Sequence, residues 1–169
     1  VKSKWNTFLY STNLLRQQNN FVEPLITAEF DQDGNWNNEC PPGCGSQEAL
    51  VGCVAVSMGQ IMHYWRYPIK AEGDYNYIDP GNDDDPSFGT FQGNFTITYD
   101  YVAMGDGTSS SEASELLLYD AGVSVNMDYG CEESGAYVMS NQSVFSAQNA
   151  FVNYFMFNDD ITSKDRSDF

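Results

Sequence analysis

The sequence predicts an α+β fold in which helices predominate, with no boundary that divides residues 1–169 into two domains. Two observations lead to this prediction. Residues 47–67 and 142–156 have the apolar periodicity of amphipathic helices. Residues 72–101 are rich in glycine and aromatic side chains, which is typical of loops with a short β-hairpin. Because 41% of the chain is hydrophobic, it has enough apolar side chains for a buried core.

The segments before residue 47 are predicted to have short or irregular structure. Residues 5–19 carry tryptophan, phenylalanine and leucine at spacings that favour one or two short helices. Residues 24–30 are predicted to be extended, and residues 31–38, DQDGNWNN, contain the residue types that favour turns. The sequence CPPGCGSQ, residues 40–47, predicts a tight and rigid loop.

The longest helix is predicted to run from Gln47 to about Tyr67. Pro68 ends it, because proline cannot donate the next backbone hydrogen bond of a helix. Small side chains between its apolar residues let neighbouring elements approach closely. The spacing therefore predicts a central, buried helix, whose apolar positions are Val54, Met58, Ile61, Met62 and Trp65.

Further along the chain, Ser109 and Glu112 fit the capping box of a helix that continues to about Ala121. Gly122 is predicted to end this helix, because glycine readily adopts the left-handed conformation found after a helix C-terminus. Residues 123–130, VSVNMDYG, alternate between apolar and polar side chains and predict a strand.

The charge balance excludes several classes of partner. The chain carries 24 acidic residues and 7 basic residues, a net charge of -17. Nucleic acids and anionic membrane surfaces are bound by clusters of lysine and arginine, so we expect neither as a partner. The longest apolar run, residues 49–62, is shorter than the roughly 20 residues that span a bilayer. No signal sequence follows Val1, so we expect the chain to begin after any targeting segment or pro-segment.

No metal site and no cofactor are predicted. Residues 31–39 contain the acidic residues of a calcium loop, but Gly34 is the fourth residue, whereas an EF-hand needs its glycine at the sixth. The acidic stretch GNDDDP, residues 81–86, is interpreted as a solvated loop. The cysteines and the one histidine are too few and too poorly spaced for a zinc site.

Cys53 differs from the other cysteines because it follows Gly52 and opens the helical run GCVAVSMGQIMHYW. The start of a helix carries a partial positive charge and unpaired N–H groups, which stabilise a thiolate. The position therefore fits a nucleophile, and a buried core thiol or half of a disulfide remain the alternatives. If Cys53 is a free nucleophile, at most one disulfide forms among the remaining cysteines, Cys40, Cys44 and Cys131.

A cysteine nucleophile needs a base, and His63 is the one histidine in the chain. It lies ten residues after Cys53 on the same predicted helix. A helix rises about 1.5 Å per residue, so about 15 Å separates the two positions, too far for a hydrogen bond. Either Cys53 is not catalytic, or its base lies outside these residues.

Four segments of the chain occur in an order known from one family. Residues 52–68, GCVAVSMGQIMHYWRYP, begin like a GCVATA-type nucleophile segment and end in the pattern QIM-aromatic-YP. The other three are LITAEFDQDGNWNNECP (25–41), TYDYVAM (98–104) and LLLYDAGVSVNMDYG (116–130). Together these segments resemble the streptopain family of secreted bacterial papain-like cysteine peptidases.

The resemblance implies a papain-like cysteine peptidase fold, mainly its helical half, in which the central helix starts at the nucleophile Cys53. Most of the β-rich half of that fold is not in this sequence. The resemblance also implies that the side-chain amide of Gln32 joins the Cys53 backbone N–H at the developing oxyanion. The implied substrate-binding residues are Gly52, Ser134, Gly135 and Ala136, the last three as backbone contacts for an extended peptide.

The sequence departs from the family pattern in two respects. Cys131 is not part of that pattern, and it pairs with Cys44, pairs with Cys40 or stays free. The family's catalytic histidine, in a Gly-His-Ala-type strand, and its NWGWGG-type segment do not occur here. We therefore expect the C-terminal half of the same enzyme, as a second chain or a further segment, to supply the base. This chain alone is expected to be inactive. The side chains expected to need such a partner surface are Phe145, Phe151, Phe155 and Phe157.

The resemblance implies a secreted cysteine endopeptidase that cleaves protein or peptide substrates through a Cys53 thiolate and an acyl-enzyme. The alternative is a non-catalytic secreted binding module or an inactive peptidase fragment. In that alternative, the aromatic and acidic segment 72–101 contacts glycan or protein, and Cys53 has a structural role.

Overall fold

The computed structural model describes residues 23–81 and 85–164. They form three helices and two small antiparallel sheets of two strands each, so the predicted α+β class is confirmed. The strands are β1 (Pro42–Cys44), β2 (Gln47–Glu48), β3 (Asp74–Ile78) and β4 (Thr90–Asn94). The helices are α1 (Cys53–Trp65), α2 (Glu112–Ser124) and α3 (Ala147–Asn153). None of the helices in these two ranges is long and apolar enough to cross a membrane.

Both sheets are hairpins formed by strands that are neighbours in sequence. Strands β3 and β4 pair from Asp74 opposite Asn94 to Ile78 opposite Thr90, which confirms the hairpin predicted within residues 72–101. Strands β1 and β2 pair within residues 40–48, where the sequence predicted only a tight loop.

Helix α1 is the central helix of the described residues, but it begins at Cys53 rather than at the predicted Gln47. Gln47 belongs to β2, and the amides of residues 49–51 donate hydrogen bonds to carbonyl groups distant in sequence. These bonds hold residues 49–51 to other segments of the chain, and the helix begins after them. At its other end, Arg66 adopts a left-handed conformation with φ of 49°.

Helix α1 packs directly on helix α2 through a glycine. A Cβ atom on Gly59 would lie 2.6 Å from Leu118 Cδ2, so any side chain there would displace the Leu118 side chain. Met58 and Met62 of α1 and Leu117 of α2 are buried in the same core. The small residues of the central helix therefore serve close packing, as the sequence predicts.

Helix α2 starts two residues later than the predicted capping box. Ser111, not Ser109, is the N-cap residue. Its Oγ accepts a hydrogen bond from Ser114 N at 3.2 Å, and Ser114 Oγ accepts one from Ser111 N at 2.8 Å. This reciprocal pair satisfies two backbone donors at the helix start, so the predicted partner Glu112 is not needed.

The end of α2 also differs from the prediction. The helix continues two residues past Gly122. Gly122 serves close packing here, because a Cβ atom on it would lie 2.6 Å from Tyr129 Oη. The strand predicted for residues 123–130 is wrong: its first two residues end the helix, and Asp128 alone forms a ladder pair, with Gly135.

Helix α3 spans Ala147–Asn153 and is shorter than the predicted segment 142–156. Ser146 is its N-cap, and the residues before it form turns and bends instead of helix. The helices predicted for residues 5–19 lie outside the described residues.

The core is rich in aromatic side chains, and it includes two that were expected to need a partner. Phe151 and Phe155 are buried against each other within this chain, with ring centroids 6.4 Å apart. Phe145 is 40% exposed and Phe157 is half-buried. The expectation of a partner surface is therefore wrong for Phe151 and Phe155, whose burial is complete without one.

Helix α2 buries a carboxyl group in this core. Asp120 is 2% exposed and accepts a hydrogen bond from Tyr99 Oη at 2.8 Å. Burial raises the pKa of Asp120 to about 7, while the hydrogen bond from Tyr99 acts in the opposite direction. The folded protein therefore holds a proton that Asp120 releases on unfolding at mildly acidic pH.

Asp120→Asn is expected to remove one cause of the pH dependence of stability. Because the pKa of Asp120 is raised in the folded protein, its protonated form stabilises the fold. This stabilisation is fully present below the ordinary pKa of 3.8 and is lost as the pH rises through about 7. This contribution is on the order of 4 kcal/mol. Urea unfolding of wild type and variant between about pH 4 and 8 measures it. The stability lost with rising pH should be smaller in the variant, and equal losses would contradict the assignment.

Candidate functional site

The residues before Cys53 lie in an extended segment that is held on two sides. Val51 N donates to Gln32 O at 3.0 Å, and Leu50 N donates to Gly130 O at 3.0 Å. The predicted turn that contains Gln32 and the segment around Gly130 therefore flank the start of α1. The extended segment fixes where Cys53 stands.

Cys53 is the first residue of α1, and its thiol is free and exposed. The helix has 13 residues, and no side chain caps its N-terminus. Its first N–H groups and the positive end of its dipole are therefore available to a negative charge near Cys53. An exposed thiol at the start of a mostly buried helix is a suitable geometry for a nucleophile.

Gly52 is buried directly before Cys53, with φ of 87°. A Cβ atom on Gly52 would lie 2.6 Å from Met127 Sδ and 3.1 Å from Ser134 O. Only glycine combines this backbone conformation with this close contact. The structure thus brings Ser134 against Gly52, the residue directly before Cys53.

Residues 130–136, which we call the cleft loop, pack against the extended segment. Asp128 and Gly135 exchange two backbone hydrogen bonds of 2.9 Å each, which close the loop. Ser134 is buried; its Oγ donates to Leu50 O at 2.7 Å and accepts from Gly130 N at 3.0 Å. The Ser134 hydroxyl therefore ties the loop to the residues before Cys53.

A disulfide adds a covalent link to the same loop. Cys44 of β1 is bonded to Cys131, which settles the three outcomes left open for Cys131. Asp85 Oδ2 also accepts a hydrogen bond from Cys131 N at 2.9 Å. The hairpin that leads toward Cys53 and the cleft loop are thus joined covalently.

Cys40 is the other free cysteine of the described residues, and its surroundings contrast with those of Cys53. It is buried, whereas Cys53 is exposed. Burial, with the nearby carboxylates of Glu39 and Glu48, raises the pKa of the Cys40 thiol to about 12. Cys40 therefore stays a neutral thiol at physiological pH.

Gln32 is half-buried, and its backbone is fixed beside the site. Its carbonyl accepts from Val51 N, and its own N donates to Asp31 Oδ1 at 2.7 Å. Within residues 23–81 and 85–164, no hydrogen bond involves its side-chain amide. That amide is free to donate to a ligand.

His63 lies near the opposite end of α1. It is 8% exposed, its Nε2 is 3.2 Å from Gly105 O, and its ring packs against Phe30 at a centroid distance of 5.3 Å. Ten residues of helix separate it from Cys53, about 15 Å along the axis. His63 is therefore a packed core residue and cannot exchange a proton directly with Cys53.

Two residues that support the site were missed by sequence reasoning. Asp79 is 1% exposed; its Oδ2 accepts from Phe88 N at 2.8 Å, and its Oδ1 accepts from Tyr129 N at 3.4 Å. Met127 fills the space over Gly52. Asp79 could not be singled out from the sequence, because the chain contains many other acidic residues. Met127 lies in the segment that the sequence predicted to be a strand, so its packing over Gly52 was not anticipated. Among the described residues, no group of three or more potential ligands is placed to hold a metal.

Comparisons with known proteins show the family to which the chain belongs. The family model described as Peptidase C10 matches residues 30–169. Streptopain of Streptococcus pyogenes is 34% identical over 134 residues, 73% of this chain and 31% of that protein. The thiol protease/hemagglutinin PrtT of Porphyromonas gingivalis is 32% identical over 121 residues, 68% of this chain and 13% of that protein.

Solved structures of Prevotella intermedia proteins have a similar fold. Active wild-type interpain A cysteine protease matches with a TM-score of 0.63 and 27% identity, over 80% of this chain and 55% of that one. A mutant prointerpain A fragment matches with a TM-score of 0.63 and 26% identity, over 85% of this chain and 50% of that one. The chain therefore spans about half of these solved structures and less than a third of the curated relatives. The papain-like fold expected from the resemblance is confirmed.

Gly52→Ala is expected to destabilise the fold by about 1–3 kcal/mol, because the added Cβ is strained by the positive φ and collides with Met127. Gly135→Ala is the matched control, since a Cβ on Gly135 meets no atom within 4 Å. Urea unfolding measures both variants. A loss at Gly52 no greater than that at Gly135 would show that the close contact is unimportant.

Iodoacetamide is expected to alkylate Cys53 in the folded protein and to leave Cys40 unmodified, because Cys40 is buried and protonated. After unfolding in guanidinium both thiols should react, whereas Cys44 and Cys131 should react only after reduction. Peptide mass mapping of each state gives the extent of labelling, with Cys53→Ser as the reference. Native labelling of Cys40 as fast as that of Cys53 would refute the contrast in environment.

Proposed function

Because the chain belongs to the peptidase C10 family, we propose that it is the nucleophile-bearing part of a secreted cysteine endopeptidase. The observation that carries this proposal is the free, exposed thiol of Cys53 at the first residue of α1. The cleft loop lies against Gly52, directly before Cys53, and Gln32 is hydrogen-bonded to Val51 in the same segment. The proposed substrates are proteins and peptides, and no cofactor takes part.

In the proposed reaction, the Cys53 sulfur attacks the carbonyl carbon of the scissile peptide bond. The C–N bond breaks, and the amine leaves with a proton from the base. The acyl group remains on Cys53 as a thioester. Water then adds to the thioester, gives its proton to the base, and releases the carboxylic acid and the thiol. The Cys53 N–H and the free side-chain amide of Gln32 donate hydrogen bonds to the oxyanion in both steps.

The base is proposed to be a histidine from a C-terminal part of the same enzyme, as a further segment or a second chain. His63 is ruled out because it is packed near the other end of α1. The chain also covers 31% of streptopain and 55% of interpain A, so each of these proteins has a region that it does not match.

The cleft loop supplies an edge on which an extended peptide can form backbone hydrogen bonds. Gly135 uses both its N–H and its C=O in the pair with Asp128. Hydrogen-bonding groups point to opposite sides at successive residues of a strand, so those of Ser134 and Ala136 point away from Asp128. Ser134 O and Ala136 N form no hydrogen bond to the described residues, and Ser134 O faces Gly52. We therefore propose that the substrate adds as a strand at Ser134 and Ala136.

The alternative, a binding module that uses residues 72–101, has little support in the structure. A glycan-binding surface needs exposed aromatic side chains, whereas most of those in this segment belong to the core. The buried aromatic residues of this segment are Tyr77, Phe91, Phe95, Tyr99 and Tyr101.

Gln32→Ala in the full-length protein is expected to lower kcat about 100-fold, because one oxyanion donor is lost, while KM changes little. Steady-state hydrolysis of a peptide substrate measures both constants. Cys53→Ala gives the inactive reference, and Gln92→Ala, at an exposed position of β4, is the matched control. A Gln32→Ala variant with the activity of Gln92→Ala would remove Gln32 from the mechanism, and activity in Cys53→Ala would refute the nucleophile.

A further inference from the structure

The cleft loop is attached to the rest of the protein by few bonds. Among residues 23–81 and 85–164, no backbone hydrogen bond involves Glu132 or Glu133, and both are exposed. The part of the loop before Gly135 is held by the Leu50 N–H at Gly130 O, by the Ser134 hydroxyl, by the Asp85 carboxylate and by the Cys44–Cys131 disulfide. Of these, the disulfide is the only covalent bond, and it reaches across 87 residues of sequence.

We propose that the Cys44–Cys131 disulfide positions the peptide-binding edge, and that its reduction weakens substrate binding without disabling the nucleophile. The proposal rests on the proposed function, because it assigns the edge at Ser134 and Ala136 to the substrate. Cys131 lies three residues before Ser134 and Cys44 lies nine residues before Cys53. The bond therefore fixes the distance between the edge and the segment that carries the thiol.

Loss of the disulfide affects the edge more than it affects Cys53. Cys53 belongs to α1, which is anchored by its own helical bonds and by its packing on α2. The cleft loop belongs to no helix or strand, and without the disulfide its first part is held by hydrogen bonds alone: two with Leu50 and one with Asp85. Each such bond contributes only about 1 kcal/mol, and the exposed residues Glu132 and Glu133 lie between them, so we expect the loop to open locally once the covalent link is lost.

A dithiol is the class of reductant that acts here. One of its thiolates attacks a sulfur of the Cys44–Cys131 bond and forms a mixed disulfide. Its second thiol then closes a cyclic disulfide and releases the other cysteine. Two electrons and two protons pass from the dithiol to Cys44 and Cys131. Both cysteines are half-buried rather than buried, which gives the reductant access.

The proposed activity needs Cys53 to be reduced but Cys44 and Cys131 to be oxidised. Cys53 attacks only as a thiol or thiolate, so oxidising conditions that modify it stop the reaction. The cleft loop needs the oxidised pair. Full binding and full reactivity therefore coincide only where Cys53 is reduced and the disulfide persists. An extracellular space is such an environment, whereas a strongly reducing cytosol is not.

Two irreversible reagents separate the two effects in the full-length protein. Iodoacetamide is small and reports on the Cys53 thiol alone, while a peptidyl chloromethyl ketone must also bind the edge. The protein is treated with a dithiol, which is then removed in oxygen-free buffer. Site-resolved mass spectrometry gives the rate of Cys53 modification by each reagent. Cys44→Ser/Cys131→Ser mimics the reduced state, and Cys40→Ser is the control for the remaining described thiol.

Reduction is expected to slow the peptidyl reagent about tenfold or more, and to change the iodoacetamide rate less than about twofold. The double variant should be slow before any treatment and should not change further, and Cys40→Ser should behave as wild type. If the peptidyl reagent reacts equally fast before and after reduction of the Cys44–Cys131 bond, the proposal is overturned. If the double variant does not fold, the test rests on the rate at which the peptidyl reagent modifies Cys53 in reduced wild type.

A failure of the proposed function gives a different result. If Cys53 reacts with neither reagent in any state, the nucleophile assignment fails. Amide hydrogen exchange of residues 128–136 then tests the disulfide on its own, since it needs no reaction at Cys53. Exchange at Gly130 and Gly135 should become faster on reduction, because both amides are hydrogen-bonded in the oxidised loop. Unchanged exchange there would overturn the proposal.

Discussion

The rest of the site depends on the absence of a Cβ atom at Gly52. Met127 Sδ and Ser134 O lie 2.6 Å and 3.1 Å from the place that a Cβ atom would occupy. The cleft loop can therefore rest directly on the residue before Cys53. The Ser134 hydroxyl and the Cys44–Cys131 bond secure this contact from two further directions. Because of this close approach, the proposed peptide edge lies next to the residue that precedes Cys53.

The position of Cys53 follows from the hydrogen bonds that precede it. The amides of residues 49, 50 and 51 donate to the carbonyl groups of Pro41, Gly130 and Gln32, and α1 begins after Gly52. The body of the helix is fixed against α2, where Gly59 admits Leu118. The thiol is thus exposed at the end of a rigid element. A rigid helix is a suitable support for a catalytic group, because such a group has to be held in position to within a fraction of an ångström.

Local patterns predicted some parts of this arrangement and failed for others. The buried helix and the β3–β4 hairpin follow from periodicity and turn residues within one segment. The start of α1 does not, because it depends on partners distant in sequence such as Gly130. The N-cap of α2 was placed at Ser109 instead of Ser111, since neighbouring serines carry the same local signal. The partner of Cys131 and the role of Asp79 depend on tertiary contacts that spacing does not encode.

The central claim is that Cys53 carries the acyl group during the reaction. The most direct measurement is the mass of the covalent intermediate, formed with a slowly deacylating peptide ester and trapped by rapid denaturation of the full-length protein. Our account predicts the acyl mass on the peptide that contains Cys53, and its loss when the thioester hydrolyses. Turnover of the ester with no adduct on Cys53, or an adduct on another residue, would contradict it.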